Sequence, residues 1–166
     1  MMNKAKSSGL GALMAGVVAA GLVSGCGTPG PKPWNLSINK TTPASIQVDV
    51  IGIKESENPV WEGYNIDKYW SDGDLRRINA QPLTQILKLG QPWVIPATDP
   101  KWQKWIARGD TELLIIGNLP GCFDAGPADP RRLIIPLQPV WQTKNDTLEI
   151  EVQDTLIQVN TPQKPK

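Results

Sequence analysis

The chain has 166 residues with a formal net charge of +1, no histidine and two cysteines. That balance leaves no basic footprint for nucleic acid and no polybasic patch for anionic lipid. The missing histidine removes the commonest general base and the commonest metal ligand, so an enzyme is not expected.

The N-terminus reads as a secretory signal: Lys4 and Lys6, an apolar Gly/Ala-rich run from Leu10 to Val23, then small residues before a cysteine. The run is too short, and too interrupted by Gly11, Gly16 and Gly21, for the ~20 apolar residues that cross a bilayer. The sequence Leu22-Val23-Ser24-Gly25-Cys26 has the form of a lipobox, in which the Cys26 thiol is acylated and becomes the new N-terminus. Residues 1–25 are then the signal peptide, and Cys26 anchors the rest to a membrane through lipid. Gly27, in the place where an aspartate would signal retention, points to the outer membrane, with the domain on its periplasmic face.

Cleavage leaves Cys26 to Lys166, about 140 residues, which suits one domain. Its charge, without Lys4 and Lys6, is about −1. With Cys26 lipidated, Cys122 has no partner in the chain. Its context Leu119-Pro120-Gly121-Cys122-Phe123 predicts a buried or partly buried thiol.

Residues 26–33 combine the lipidated cysteine with a Pro/Gly-rich tether that can form neither helix nor central strand. The domain proper spans 34–160. Trp34 to Asn39 and Ile46 to Ile53 alternate apolar and polar side chains, the period of half-buried strands. With the turn-rich Lys40-Thr41-Thr42-Pro43-Ala44-Ser45 between them, they predict an antiparallel hairpin. Between Lys54 and Ala80 aromatic residues stand among charges. Tyr64 to Trp70 predicts a short helix capped by Asn65, ended by the turn residues Ser71-Asp72-Gly73-Asp74, as part of a helical excursion over one face of a sheet.

Gln85 to Leu89 and Trp93 to Ile95 are short extended runs. Asp99 to Gly109 carries a cap, a proline at the first helical position and a glycine past the end; Trp102, Trp105 and Ile106 share one face. Glu112 to Gly117 is the most apolar run after the signal, a central strand buried on both sides. After a Gly/Pro/Asp-rich loop, Leu119 to Pro130, come Arg132 to Leu137 and a closing hairpin of Thr147 to Val152 and Thr155 to Val159. Residues 161–166 form a polar tail. About eight strands and two short helices predict a mainly β, two-sheet antiparallel β-sandwich with one or two helical insertions.

Few residues suggest chemistry. Asp72-Gly73-Asp74 lacks the further oxygen ligands of a calcium loop, so no metal is expected. There is no Gly-x-Ser-x-Gly elbow and no phosphate-binding glycine loop, so neither a catalytic residue nor a cofactor is expected. Seven tryptophans leave one other reading, a stand-alone periplasmic lipoprotein that binds a glycan or small ligand through exposed Trp61 and Trp70.

In layout the chain resembles the TssJ family, outer-membrane lipoproteins of the type VI secretion system membrane complex. The resemblance runs through Cys26, Trp34 to Asn39, Lys40 to Ser45, Ile46 to Ile53, the aromatic insertion Trp61 to Trp70, Glu112 to Gly117 and Thr147 to Val159. It implies a transthyretin-like β-sandwich with added helical elements and a docking role in that complex. It also implies a partner, the periplasmic domain of an inner-membrane TssM-like protein, held by the loop between the first two strands. On this chain the contact residues would be Lys40, Thr41, Thr42, Pro43, Ala44 and Ser45.

Overall fold

Strand β1 (Asn35–Lys40) sends every second residue inward: Leu36 and Ile38 are fully buried and Lys40 nearly so. The computed structural model in which this is seen describes residues 29–165. The proposed signal peptide and Cys26 lie outside the described residues.

Strands β2 (Ile46–Ile53), β3 (Leu83–Leu87), β4 (Trp93–Ile95), β5 (Glu112–Gly117), β6 (Arg132–Pro136), β7 (Thr147–Val152) and β8 (Ile157–Val159) complete two four-stranded sheets. Their orders are β4-β1-β7-β8 and β3-β2-β5-β6. Leu36, Ile38, Leu148 and Ile150 of the first sheet meet Val48, Val50, Leu113 and Ile115 of the second, forming the sandwich core. All pairs are antiparallel except β1 with β7, which run parallel from Asn35 beside Thr147 to Lys40 beside Val152.

The expected opening hairpin is not formed. β1 pairs with β4 and β7, and β2 with β3 and β5, so the Thr41–Ser45 connection arches from one sheet to the other. Both strands carry an apolar face, and those faces meet across the core instead of lying side by side. Alternation reveals that a strand has a buried face, not which strand hydrogen-bonds beside it.

The outer face of the second sheet is apolar too. Ile51, Ile53, Leu114 and Ile116 are buried beneath Trp61, Ile66 and Tyr69 of the helical excursion. The excursion comprises a 3-10 turn over Glu55–Glu57 and helices α1 (Asn58–Glu62), α2 (Ile66–Tyr69) and α3 (Leu75–Ala80). Asn65 caps α2 as expected, accepting from the Lys68 N–H at 2.8 Å. Helix α3 was not expected. Its cap is Asp74, read above as a turn residue, which accepts from the Arg77 N–H at 2.8 Å; with no fully buried residue α3 leaves no helical period to read.

Helix α4 (Pro100–Arg108) is capped by Asp99, and Gly109 ends it at φ 87°, a left-handed conformation that glycine adopts without strain. Trp102 and Trp105 point into the core with their rings edge-to-face at 5.4 Å. The polar tail is fastened to the sandwich. Thr161 Oγ1 accepts from the Glu149 N–H at 2.8 Å, and the Lys164 N–H donates to the Val140 carbonyl at 2.7 Å.

The connections divide between two ends. At the end where β1 begins, the Leu137 carbonyl accepts from the Lys32 N–H and from Trp34 Nε1, both at 3.2 Å. This tether end also holds the start of β5 and the end of β2. At the opposite end lie Thr41–Ser45, the Asn118–Pro130 loop and the Gln153–Leu156 turn, joined by bonds from Thr41 N–H to the Val152 carbonyl, Asn118 N–H to the Gln47 carbonyl and Ile157 N–H to the Pro130 carbonyl.

Candidate docking surface

The six residues singled out from the sequence do not share one environment. Lys40 falls at an inward position of β1, in step with Leu36 and Ile38, and is only 5% exposed. A buried ammonium is costly unless hydrogen-bonded. Lys40 Nζ donates to the Thr42 carbonyl and, at 2.6 Å, to Thr42 Oγ1, so it braces the arch from within. Thr42 is half-buried by this arrangement, while Thr41, Pro43, Ala44 and Ser45 are exposed. Four side chains thus form the surface of the arch, and Lys40 with Thr42 forms its support.

Beside the arch, the Asn118–Pro130 loop presents Cys122 to solvent. This corrects the expectation of a buried thiol. Only Leu119 of its apolar neighbours reaches the core and Phe123 is half-buried, while Gly121 and Gly126 take positive φ and turn the intervening segment outward. The loop is tied down by two arginines. Arg131 forms an ion pair with Asp129 at 2.8 Å and another with Asp67 of α2, and its guanidinium lies 4.7 Å from the Phe123 ring. The bonds it donates to Asp129 hold its pKa above the ordinary arginine value. Arg132 donates to the Trp61 carbonyl at 2.7 Å, the Glu62 carbonyl at 2.6 Å and the Gly126 carbonyl. Burial lowers its pKa, and the ring of carbonyl acceptors accommodates the charge.

The tryptophans proposed as sugar platforms are otherwise engaged. Trp61 is 4% exposed, with Tyr64 and Tyr69 edge-to-face at 6.2 Å and Arg76 5.0 Å from its ring. Trp70 is half-buried, edge-to-face with Tyr69 and covered by Arg77 at 4.4 Å. Their rings pack the excursion onto the sheet. Asp74 is occupied as well: its carboxylate accepts from the Tyr64 hydroxyl at 2.6 Å and from the Arg77 N–H. Burial alone would raise the Asp74 pKa, but those bonds and the nearby Lys68 outweigh it and lower the value.

A second feature lies at the tether end, on the outer face of the second sheet. A groove of about 790 Å³ runs between the excursion and α4, lined in part by Lys54, Lys68, Arg76 and Arg108 with Trp61 and Tyr64. Sequence reasoning missed it, because its cations come from four separate segments. No helix among the described residues is long and apolar enough to cross a membrane.

The sequence matches no protein-family model and no curated protein. Solved structures do match in three dimensions. The structure of Serratia marcescens Lip, a membrane-bound component of the type VI secretion system, aligns with a TM-score of 0.51 at 14% identity, over 82% of this chain and 99% of that one. The structure of the type VI secretion protein TssM C-terminal domain from EAEC aligns with a TM-score of 0.52 at 11% identity, over 76% of this chain and 98% of that one. The type VI secretion lipoprotein TssJ1 from Pseudomonas aeruginosa aligns with a TM-score of 0.48 at 9% identity, over 81% and 99%. At these identities the likeness is one of fold: this chain has the β-sandwich of the Lip structure, matched over nearly all of that protein.

Proposed function

We propose that the chain is a non-enzymatic lipoprotein of the outer membrane, with its domain on the periplasmic face. There it serves as a docking component of a type VI secretion membrane complex and binds the periplasmic domain of an inner-membrane TssM-like protein. The fold shared with a membrane-bound component of that system supports the reading. The observation that carries the docking geometry is the placement of the tether and the Thr41–Ser45 arch at opposite ends of β1. Lipid on Cys26 would supply attachment, and a Pro/Gly-rich tether of the length that precedes Lys32 reaches at most roughly 20 Å. The six residues of β1 carry the chain roughly 20 Å further. The arch and the Cys122 loop then face away from the anchoring membrane, toward the space a partner from the inner membrane must cross.

The test is purification of the full chain from membranes of cells expressing the secretion system, with co-purifying proteins identified by mass spectrometry. Three forms are compared: wild type, a Gly/Ser replacement of Thr41–Ser45 that retains Lys40, and Cys26→Ser. A large inner-membrane TssM-like protein captured by wild type and lost with the altered arch is the expected result, and Cys26→Ser should leave the membrane fraction. Absence of such a partner, or capture indifferent to the arch, overturns the assignment or the site respectively.

A further inference from the structure

We propose that the groove at the tether end is a binding site for an acidic peptide segment of a partner protein, separate from the arch at the other end. Four cations line it. Arg108 is paired with Asp110 at 2.5 Å, but Lys54, Lys68 and Arg76 form no ion pair among the described residues. Against them the lining carries a single carboxylate, Glu57. A concentration of unpaired positive charge within one concave surface focuses a field that selects anions.

The aromatic floor decides how an anion is read. Arg76 lies 4.8 Å from the Tyr64 ring and 5.0 Å from Trp61, and Lys68 approaches Tyr64 at 5.6 Å. A guanidinium stacked on rings leaves the N–H donors at its edge to face a carboxylate in the bidentate geometry arginine favours. Trp61 also keeps its Nε1–H buried without an acceptor among the described residues. Leu75 stands on the rim, 72% exposed. Carboxylate recognition with an adjoining apolar contact matches an acidic peptide that also carries aliphatic side chains. A bilayer surface is the other candidate for cations beside exposed apolar groups, but a membrane is met by a flat or convex face, and this surface is concave.

The probe is a fluorescein-labelled peptide, Glu-Leu-Glu-Glu-Leu-Glu, titrated by anisotropy against the full chain in non-ionic detergent. Binding that weakens with added salt is expected, with at least a tenfold loss in the double variant Lys68→Gln/Arg76→Gln and none in Lys104→Gln, which lies outside the groove. Arg76 also covers Trp61, so the exposed pair Lys54→Gln/Lys68→Gln repeats the test with Trp61 still covered and should weaken binding severalfold. Failure of wild type to bind, or equal binding by all variants, overturns the proposal. So does a result in which Lys68 and Arg76 govern capture by vesicles of phosphatidylglycerol but not by the peptide. None of these outcomes depends on the arch or on a TssM-like partner.

Discussion

The Tyr69 hydroxyl donates to Asp49 Oδ2 over 2.8 Å, joining the helical excursion to the middle of β2 at a point where neither residue meets solvent. Asp49 also receives Arg77 Nε at 2.8 Å and Thr84 Oγ1 at 2.7 Å, so one carboxylate ties together α2, α3, β2 and β3. Burial, then the Asp49 charge, pushes the Tyr69 pKa far above its ordinary value, while Arg77 is held more firmly charged by its bond to Asp49. Asp49→Ala strands a partly buried guanidinium and two hydroxyls, and should cost about 3–5 kcal/mol in urea unfolding. Tyr69→Phe, which removes one donor and keeps the ring, should cost about 1–2 kcal/mol. Equal stability of wild type and Asp49→Ala would show that the excursion is held by apolar packing alone.

At Gly52 of β2 an added Cβ would meet the Trp105 ring at 2.4 Å and Asp110 Oδ2 at 2.6 Å. The glycine lets α4 close the tether end of the sandwich, and Arg108 donates to its carbonyl at 2.8 Å. Gly52→Ala should therefore destabilise by about 3 kcal/mol, at the upper end of overpacking penalties. A melting temperature within a degree of wild type would mean that α4 shifts freely.

The extent to which the chain was legible follows from where each signal resides. The bounds of β2 could be read because its two faces are written in neighbouring residues, Val48 and Val50 inward, Ile51 and Ile53 outward. Helix α4 could be read because Asp99, Pro100 and Gly109 punctuate it locally. The arch could not, because whether five residues turn back or cross over depends on which sheet lies opposite. Arg132 was also silent: its acceptors at Trp61 and Glu62 are 71 and 70 residues away, and no spacing rule reaches that far. Among the expected contact residues, Lys40 stands apart because the period-2 rule puts it on the core face, where a lysine reads as an exception until Thr42 is seen to accept its hydrogen bonds.

Glu112 supplies a pH dependence of known sign. Burial raises its pKa above the ordinary 4.5, assisted by Glu55 and Glu62 and opposed by the Asn58 amide, and its Oε2 lacks a hydrogen-bond partner among the described residues. A carboxyl whose folded pKa is raised binds its proton more tightly folded than unfolded, so it favours folding at low pH and penalises it as pH climbs through the raised value. Glu112→Gln carries no such penalty. The variant should be more stable than wild type in urea at pH 7.5, and the gain should shrink as pH falls toward 4.5. A gain that grows on acidification would reverse the assignment.

Cys122 is exposed in a loop held at its base by Arg131 and Arg132. The native chain should label rapidly with a maleimide without denaturant, and Cys122→Ser should abolish that rapid phase while leaving the melting temperature unchanged. Labelling that waits for urea would instead place the thiol inside.

Lys40 offers the sharpest separation of scaffold from contact. Its ammonium is enclosed at the arch end and bonded only to Thr42 among the described residues. Lys40→Met retains the length and apolar stem of the side chain while removing the donor. Losing a buried charge offsets losing its bonds, so global stability should change by no more than about 1 kcal/mol. The arch loses its internal brace, and hydrogen exchange at the Thr41 amide, which donates to the Val152 carbonyl, should quicken several-fold while β1 and β2 remain protected. If docking uses the exposed side chains of the arch, the loosened loop must be ordered again on binding, an entropic cost that weakens partner capture without unfolding the domain. Exchange unchanged from wild type would show that the arch is held by its backbone, and that Lys40 is only a charge tolerated at the edge of the core.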